Sequence, residues 1–313
     1  MKTLSRRNFL VASSALASTS LVTGKLNAEA STIAPKRIIR IAHLTDIHVM
    51  PGRNSQAGMA KAFQHAQSLA DKPDFIFNGG DCIMDALKRS KDETQAQWTE
   101  WRGVLKNELD LPMHSAIGNH DVWGWANPDR LSNEDYGKKW AMEELSLEKR
   151  YYSFKQAGWC FIVLDSTYFA PSNAKGYTAK LDEKQFEWLT SELQSINSET
   201  PICILSHIPI ISFCPFFDGD NEKNGNWEVP GPWMHIDARR IKDLFSMHDN
   251  IKTCLSGHIH LQDEVQYLGI KYLCNGAVSG GWWEGNYQEF PPAYVLVDLY
   301  DDGSVQSFYT PYM

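Results

Sequence analysis

Ile38-Ile39-Arg40-Ile41-Ala42-His43-Leu44-Thr45-Asp46-Ile47-His48 starts as a short apolar run and ends on a carboxylate and an imidazole. The run reads as a strand, and the same unit of apolar run followed by polar motif recurs four more times. Phe75-Ile76-Phe77 leads to Gly80-Asp81, and Ala116-Ile117 to Gly118-Asn119-His120-Asp121. Ile202-Cys203-Ile204-Leu205 leads to Ser206-His207, and Thr253-Cys254-Leu255 to Gly257-His258-Ile259-His260. Strand ends in an α/β sheet point toward one rim, so motifs far apart in the chain can meet in one site. Two Asp, one Asn and four His then stand at ligand positions, with one His to spare. Oxygen and imidazole donors without thiolate suit Mn, Fe, Zn or similar divalent ions.

Between these runs the chain alternates helix and strand. Residues 57–70, 92–107, 182–194 and 236–247 read as helices. The first carries Met59, Ala62, Phe63, Ala66 and Leu69, mostly three or four apart, which suits one buried face. A second group of strands is expected at 151–154, 159–164, 264–273 and 293–299. The arrangement that follows is two sheets packed face to face with helices outside. No internal repeat or low-complexity stretch interrupts it.

The order of the five motifs resembles the calcineurin-like metallophosphoesterase family, over a stretch from Ile38 to about Asn275. No single motif is specific; all five in order, each behind a strand, are. The resemblance implies a four-layer α/β/β/α sandwich of two mixed sheets flanked by helices, and a dinuclear metal centre. It implies that Asp46, His48 and His260 bind one metal and Asn119, His207 and His258 the other. Asp81 would bridge both, and His120 would stand beside the metals without binding them. The family often places another Asp three residues after the bridging Asp, where this chain has Met84; Asp85 comes one position later. In the purple acid phosphatase branch a Tyr ligand takes the Met84 position and the first motif lacks its His, so a tyrosinate-ligated iron is not expected here.

These residue types suit phosphoester hydrolysis. A phosphate ester repels hydroxide, and two cations about 3.5–4 Å apart offset that repulsion and clamp the attacking and leaving oxygens in line. Water on a metal ion can have a pKa of about 7 rather than roughly 15.7. The implied reaction is in-line attack of metal-bound hydroxide on a phosphomonoester or phosphodiester, without a covalent phosphoenzyme. His120 is free to protonate the leaving oxygen, and Asp121 or another carboxylate would hold its ring. The substrate is expected to be a small phosphoester. Taken singly the residues have plainer readings: a His after a strand is usually only hydrogen-bonded, Asn119 suits a left-handed turn, and Gly80 and Gly118 suit tight turns. His43 and His114, inside strand-like runs, read as core or edge residues, and His235 and His248 as lying on or near a helix surface.

Ser5-Arg6-Arg7-Asn8-Phe9-Leu10 looks like a twin-arginine export signal. A mild apolar stretch to Val22 and the small-residue site Ala28-Glu29-Ala30 follow. Residues 1–30 are therefore expected to be a twin-arginine signal peptide, recognised by the twin-arginine translocase. Residues 31–313 are expected to be the metallophosphoesterase domain, periplasmic or secreted. Export of the folded protein would allow metal loading in the cytoplasm. The apolar stretch is short and polar for a membrane span, and no other segment approaches about 18 apolar residues, so no stable membrane insertion of the mature chain is expected. Removing Lys2, Arg6, Arg7, Lys25 and Glu29 with the signal takes the net charge from −8 to −11. That balance, without a basic stripe, argues against long nucleic acid as a substrate.

Of the six cysteines, Cys160, Cys203, Cys254 and Cys274 lie in strand-like runs and read as small buried hydrophobes; Cys82 adjoins Asp81 but is not expected to be a ligand. Two long loops, 123–136 and 210–233, are expected to wall the site. Their Trp123, Trp125, Phe216, Phe217, Trp227 and Trp233, with Trp282 and Trp283, offer flat faces to a substrate or pack the loops onto the domain. Acidic loops around the mouth would disfavour polyphosphates. The competing readings are a non-hydrolytic metal- or phosphate-binding module and a cell-envelope interaction protein on the same fold.

Overall fold

The computed structural model describes residues 34–313; the expected signal peptide, 1–30, lies outside the described residues. The first sheet is built on β1 (Arg37–Leu44), with β2 (Phe75–Asn78) and β3 (Met113–Ser115) parallel on one side. On its other side β14 (Ala293–Tyr300) and β15 (Val305–Pro311) run antiparallel, giving the order β15-β14-β1-β2-β3. The second sheet has β5 (Trp159–Leu164), β8 (Ile202–Ser206), β11 (Ile251–Ser256) and β13 (Ile270–Cys274) parallel at its centre. Antiparallel edge strands β4 (Tyr152–Gln156) and β12 (Asp263–Tyr267) complete the order β12-β13-β11-β8-β5-β4. Both sheets are mixed.

Period-2 alternation sorts each central strand onto two apolar faces. Ile39 and Ile41 of β1, with Val295, Val297 and Leu299 of β14, meet Trp159, Phe161 and Val163 of β5 and Cys203 and Leu205 of β8 between the sheets. Phe75 and Phe77 of β2 stand edge-on to Phe161, at 5.4 and 5.7 Å between ring centres. The alternate residues face outward to helices. Ala42, Leu44, Ile76 and Leu296 pack on Met59 and Phe63 of α1 (Ser55–Ser68) and on Trp98 and Trp101 of α2 (Lys91–Glu108). Ile162, Leu164, Ile202 and Ile204 pack on Leu189 and Leu193 of α4 (Glu183–Ser195) and on Ile241 and Phe245 of α5 (Ala238–Phe245). These three apolar layers make the expected four-layer α/β/β/α sandwich. Burying one such Leu or Phe is worth about 1.5–3 kcal/mol, so the layers fix the strand ends firmly.

The helix starts follow from local chemistry. At α2 the Ser90 hydroxyl accepts the Glu93 amide at 3.3 Å while the Glu93 carboxylate accepts the Ser90 amide at 2.9 Å, a capping box. At α4 the Asp182 carboxylate accepts the Gln185 amide. The four anticipated helices lie within two residues of their expected bounds.

Two strand expectations change, and short elements are added. Ala116-Ile117 lies just past the end of β3, in buried extended chain. The run 264–273 is the hairpin β12–β13, turned at Leu268-Gly269, both with positive φ (50° and 81°), as a tight hairpin of right-handed strands demands. The short α3 (Lys139–Glu144), the hairpin of β6 (Thr167–Phe169) and β7 (Tyr177–Ala179), and that of β9 (Glu222–Lys223) and β10 (Asn226–Trp227) fall in segments too short for periodicity to show. All six cysteines are buried free thiols. Among the described residues, no helix is long and apolar enough to cross a membrane.

Candidate metal centre

The motif loops leave β1, β2, β8 and β11 at their C-terminal ends and are sewn together by backbone bonds. The amides of Asp46 and His48 donate to the carbonyls of Gly80 and Asp81, each at 3.0 Å. The Gly257 amide donates to the His207 carbonyl at 2.9 Å. The two sheets' loops are joined by the His258 amide, which donates to Asp46 Oδ2 at 2.8 Å, and by the His207 ring on the Gly79 carbonyl. The contacts leave no room for side chains at two glycines. A Cβ on Gly118 would lie 2.1 Å from both Asp81 N and Asp81 Oδ1, and one on Gly257 would lie 2.3 Å from Asp46 Oδ2. Gly118 is therefore required by close approach, not by the tight turn expected from the sequence.

Asp46, His48 and His260 present one donor atom each within 4.8 Å of one another, and Asp81, His207 and His258 do the same. Asn119 joins the second group, its Oδ1 lying 3.2 Å from His207 Nε2. Each carboxylate is divided between two tasks. Asp46 Oδ2 accepts from the Thr45 hydroxyl and the His258 amide, while Oδ1 is buried without a partner, 3.5 Å from His260 Nε2 and 3.8 Å from His48 Nε2. Asp81 Oδ1 accepts the His120 amide at 2.7 Å, while Oδ2 lies 3.3 Å from His207 Nε2 and 3.8 Å from His48 Nε2. Oδ2 alone therefore faces both groups. The two-oxygen bridge that a carboxylate offers in principle is not free here, because the first oxygen is already engaged.

Second contacts fix the imidazoles. His207 Nδ1 donates to the Gly79 carbonyl at 2.8 Å and His260 Nδ1 to the Gly280 carbonyl at 2.7 Å, which turns both Nε2 atoms toward the centre. Both ring nitrogens of His258, and Nδ1 of His48, are buried with no partner. Burial pushes His48 and His258 down, to about 3, so both are neutral at pH 7. Burial would lower His207 too, but the Asp81 carboxylate outweighs it and raises His207 to about 9. Asp81 itself is held well below the usual carboxylate range: burial opposes ionisation, and the surrounding imidazoles overcome it.

Buried, mutually close, partly unpartnered carboxylate and imidazole atoms are costly without a cation between them. The backbone carries the same signature. Asp46, His48, Asp81, His258 and His260 all have φ between 52° and 75°, in the left-handed region. Each such residue costs on the order of 1–2 kcal/mol. Strain of this kind gathered on the donor residues themselves fits a site that cations complete. The donor set, three imidazole and carboxylate groups on one side and four nitrogen and oxygen groups on the other, fits two divalent ions of the Mn, Fe or Zn type.

The expected partner of His120 changes. Asp121 is fully buried and spends both oxygens on backbone: Oδ1 accepts the amides of Cys82 and Ile83, at 2.8 and 3.3 Å, and Oδ2 those of Asp81 and Gly118, at 3.0 and 2.9 Å. It cannot orient the His120 ring. That is done by the Met84 carbonyl, 2.6 Å from His120 Nδ1. Burial and the neighbouring Asp81 carboxylate push Asp121 up, to about 7, against the pull of the Gly118 and Ile83 amides. Cations at Asp81 would cancel that repulsion and leave the four donors in control. Asp85 turns away, its carboxylate accepting the Lys88 amide. Cys82 packs in the helix-side core with Asn78 donating to its sulfur.

A cavity of about 160 Å³ opens over the centre. Asp81, His120, His258 and His260 form its floor, and Lys175, Tyr177, Asp218, Trp233, Trp282 and Tyr287 its walls. Trp282 lies against His260, 4.6 Å between ring centres, and Trp283 donates from Nε1 to the His48 carbonyl. Trp123, by contrast, is buried and donates to Arg89. The aromatic residues therefore divide between walling the site and packing the loops. The wall is not uniformly acidic, since Lys175 stands opposite Asp218. Lys175 and Tyr177 escaped the sequence reading because a single Lys-Gly-Tyr between unremarked strands carries no motif. His43 is buried in the core and His114 stacks on Phe154 at the edge strand β3, as expected. His235 is not on a helix surface; it is buried, with Nδ1 on the Asp237 carboxylate at 2.9 Å.

Residues 39–262 match the family described as calcineurin-like phosphoesterase. The chain is 21% identical over 286 residues to the 3′,5′-cyclic adenosine monophosphate phosphodiesterase CpdA of Haemophilus influenzae, covering 88% of this chain and 90% of that one. Among solved structures it resembles a dimetal phosphatase from Danio rerio, with a TM-score of 0.60 at 14% identity, over 89% of this chain and all of that one. It also resembles GAP50, the anchor in the inner membrane complex of Plasmodium, with a TM-score of 0.54 at 15% identity, over 88% of this chain and 85% of that one. Both structural likenesses concern the fold.

Proposed function

The chain belongs to the calcineurin-like phosphoesterase family, and from that premise we propose that it is a metal-dependent hydrolase of a small phosphomonoester or phosphodiester. The observation that carries the reading is the pair of buried donor groups that meet at Asp81 Oδ2. Asp46, His48 and His260 would hold one divalent ion, and Asn119, His207 and His258 the other, with Asp81 shared. Bound there, two cations would offset the phosphoryl charge and bring the pKa of water down to about 7.

The chain's own residues do the rest. The Met84 carbonyl accepts from His120 Nδ1 and so turns Nε2 toward the cavity, where the second proton of the imidazolium form is available to the leaving oxygen. The carbonyl also stabilises the doubly protonated ring, the form a general acid needs. Asp121 acts by holding the amides of Asp81 and Gly118, and so places Asp81 and His120 relative to each other. Trp282, Tyr287 and Trp233 narrow the mouth and exclude water from the floor.

The reading is tested by metal analysis of the purified protein together with turnover of p-nitrophenyl phosphate, bis(p-nitrophenyl) phosphate and 3′,5′-cyclic AMP, the last because of the CpdA likeness. About two metals per chain with turnover of at least one ester is expected. Retained metal with no turnover on any of them would favour a binding module. We also propose that residues 1–30 are a twin-arginine signal and that the mature domain, from about Ser31, works in the periplasm or outside. Replacing Arg6 and Arg7 with Lys should retain the protein in the cytoplasm at full length; unaltered export would count against the signal.

A further inference from the structure

We infer that Lys175 and Tyr177 form an anion clamp that selects phosphomonoesters over phosphodiesters at this site; the inference rests on the hydrolase reading and deepens it. Lys175 stands in the turn that precedes β7 and Tyr177 is the first residue of that strand; Gly176 between them has a φ of 78°, and both side chains line the cavity over the candidate metal centre. Tyr177 is only 1% exposed, yet its hydroxyl makes no hydrogen bond to any described residue. Its ring stands edge-on to His258, with ring centres 6.4 Å apart. The ring is buried but the hydroxyl reaches the cavity, where, above a floor of metal-type donors, it is a donor open to an acceptor that enters from outside.

Lys175 gives a second, separate indication. It is an exposed residue overall, but no carboxylate of the described chain lies within 4.0 Å of its ammonium, in a protein with eight more acidic than basic residues. Its place is held rather than random. The Lys175 amide donates to Asn173 Oδ1 at 2.9 Å, its ammonium lies 5.4 Å from the centre of the Trp233 ring, and the adjoining Gly176 is pressed so close to the Trp125 carbonyl that a Cβ would sit 2.2 Å from that oxygen. The hairpin is tied in turn to the second long loop, by the Ala179 amide on the Gly231 carbonyl. An ammonium fixed beside a centre built for two cations is electrostatically unfavourable until an anion comes between them.

The substrate class follows from counting oxygens. A phosphomonoester dianion carries three terminal oxygens and a phosphodiester two. Two cations held by the donor groups would offset the charge on two of them. The third exists only on the monoester, and an ammonium with a phenol O–H is a matched receptor for it, since both groups are protonated donors at neutral pH.

The test uses the metal-loaded full domain and the variants Lys175→Met and Tyr177→Phe, the second of which removes one oxygen and nothing else. Turnover is compared on p-nitrophenyl phosphate and bis(p-nitrophenyl) phosphate, and binding of orthophosphate and of dimethyl phosphate is measured by calorimetry. Each variant should lose about ten- to a hundredfold in kcat/KM on the monoester, the scale of one hydrogen bond to a charged group, and less than about threefold on the diester. Orthophosphate affinity should fall in parallel, dimethyl phosphate affinity should not, and metal content and melting temperature should stay with the wild type. Equal losses on both esters, or unaltered orthophosphate binding, would overturn the clamp. If no ester is turned over at all, the hydrolase reading falls, while the two binding titrations still decide whether the clamp exists.

Discussion

Asp121→Asn separates a residue that builds the centre from one that works in it. In the folded chain each Asp121 oxygen accepts two backbone amides, Cys82 and Ile83 on one side and Asp81 and Gly118 on the other. An asparagine of the same shape must turn its NH2 toward one of those pairs. Whichever way it turns, two buried amides lose their acceptor and meet another donor. A buried donor left unpaired costs about 1–3 kcal/mol, so the substitution should cost about 2–6 kcal/mol. In a domain of this size that is a fall of about 4–12 °C in Tm. The loosened segment is the one that carries Asp81, so metal retained after dialysis should fall as well. Urea unfolding and metal analysis on the same preparation measure both. If Asp121 instead served His120 during turnover, stability and metal content would stay within about 1 kcal/mol and a few per cent of wild type while kcat alone dropped, and that result would refute the structural role.

His120→Asn should lower kcat at least about a hundredfold with metal content unchanged, because the ring donates no ligand atom and loses only its proton; steady-state kinetics beside metal analysis check it. Exhaustive chelation should lower the melting temperature, since each ion present at a hundred times its Kd contributes about 2.7 kcal/mol and its loss returns buried donors and left-handed residues to an uncompensated state; differential scanning calorimetry with and without added Mn or Zn reads the shift. Lys138→Met should cost about 1.5–3 kcal/mol, because it removes one of the two cations on the buried Asp165 carboxylate and leaves Arg150 as the other, and denaturant unfolding measures it. Gly118→Ala should reduce both stability and metal binding, as its methyl would overlap Asp81 N and Oδ1; a variant that folds and loads normally would show that the loops can move apart.

The ligand motifs were legible in the sequence because each rides on a strand whose apolar period is unambiguous, and the strand ends carry them to one rim. Asp46, Asp81, Asn119, His207, His258 and His260 needed only that topology to be placed together. The partners that orient them were not legible, because they are main-chain atoms: the carbonyls of Met84, Gly79 and Gly280 could belong to any residue. Asp121 was misread for a related reason. Its position beside His120 suggested contact, but neighbouring residues on a turn point apart, and its side chain reaches back to the amides of Asp81, Cys82, Ile83 and Gly118 instead. His235 looked superficial because it precedes a helix, yet its bond to Asp237 draws it inward. Lys175 and Tyr177 come from a hairpin of three-residue strands, below the length at which alternation can be counted.

The same division explains why the centre is built from strained residues. A donor such as His258 could reach a cation from relaxed backbone if its loop were longer, but a longer loop would let the donor drift. Here the loops are cut short by glycines that allow near-contact and are zipped by amide bonds from Asp46 to Gly80 and from Gly257 to His207. Five donor residues are then forced into left-handed φ, at on the order of 1–2 kcal/mol each. The sheets, buried on three apolar layers, are rigid enough to impose that conformation. The consequence is that the donors need not be ordered when the ions arrive: the entropy of arranging them is already spent in folding, and the ions recover part of the strain. On this logic the fold's stability and the centre's affinity are one quantity viewed from two sides, so substitutions in the inter-sheet core, such as at Phe77 or Phe161, should weaken metal retention even though they lie far from every donor atom.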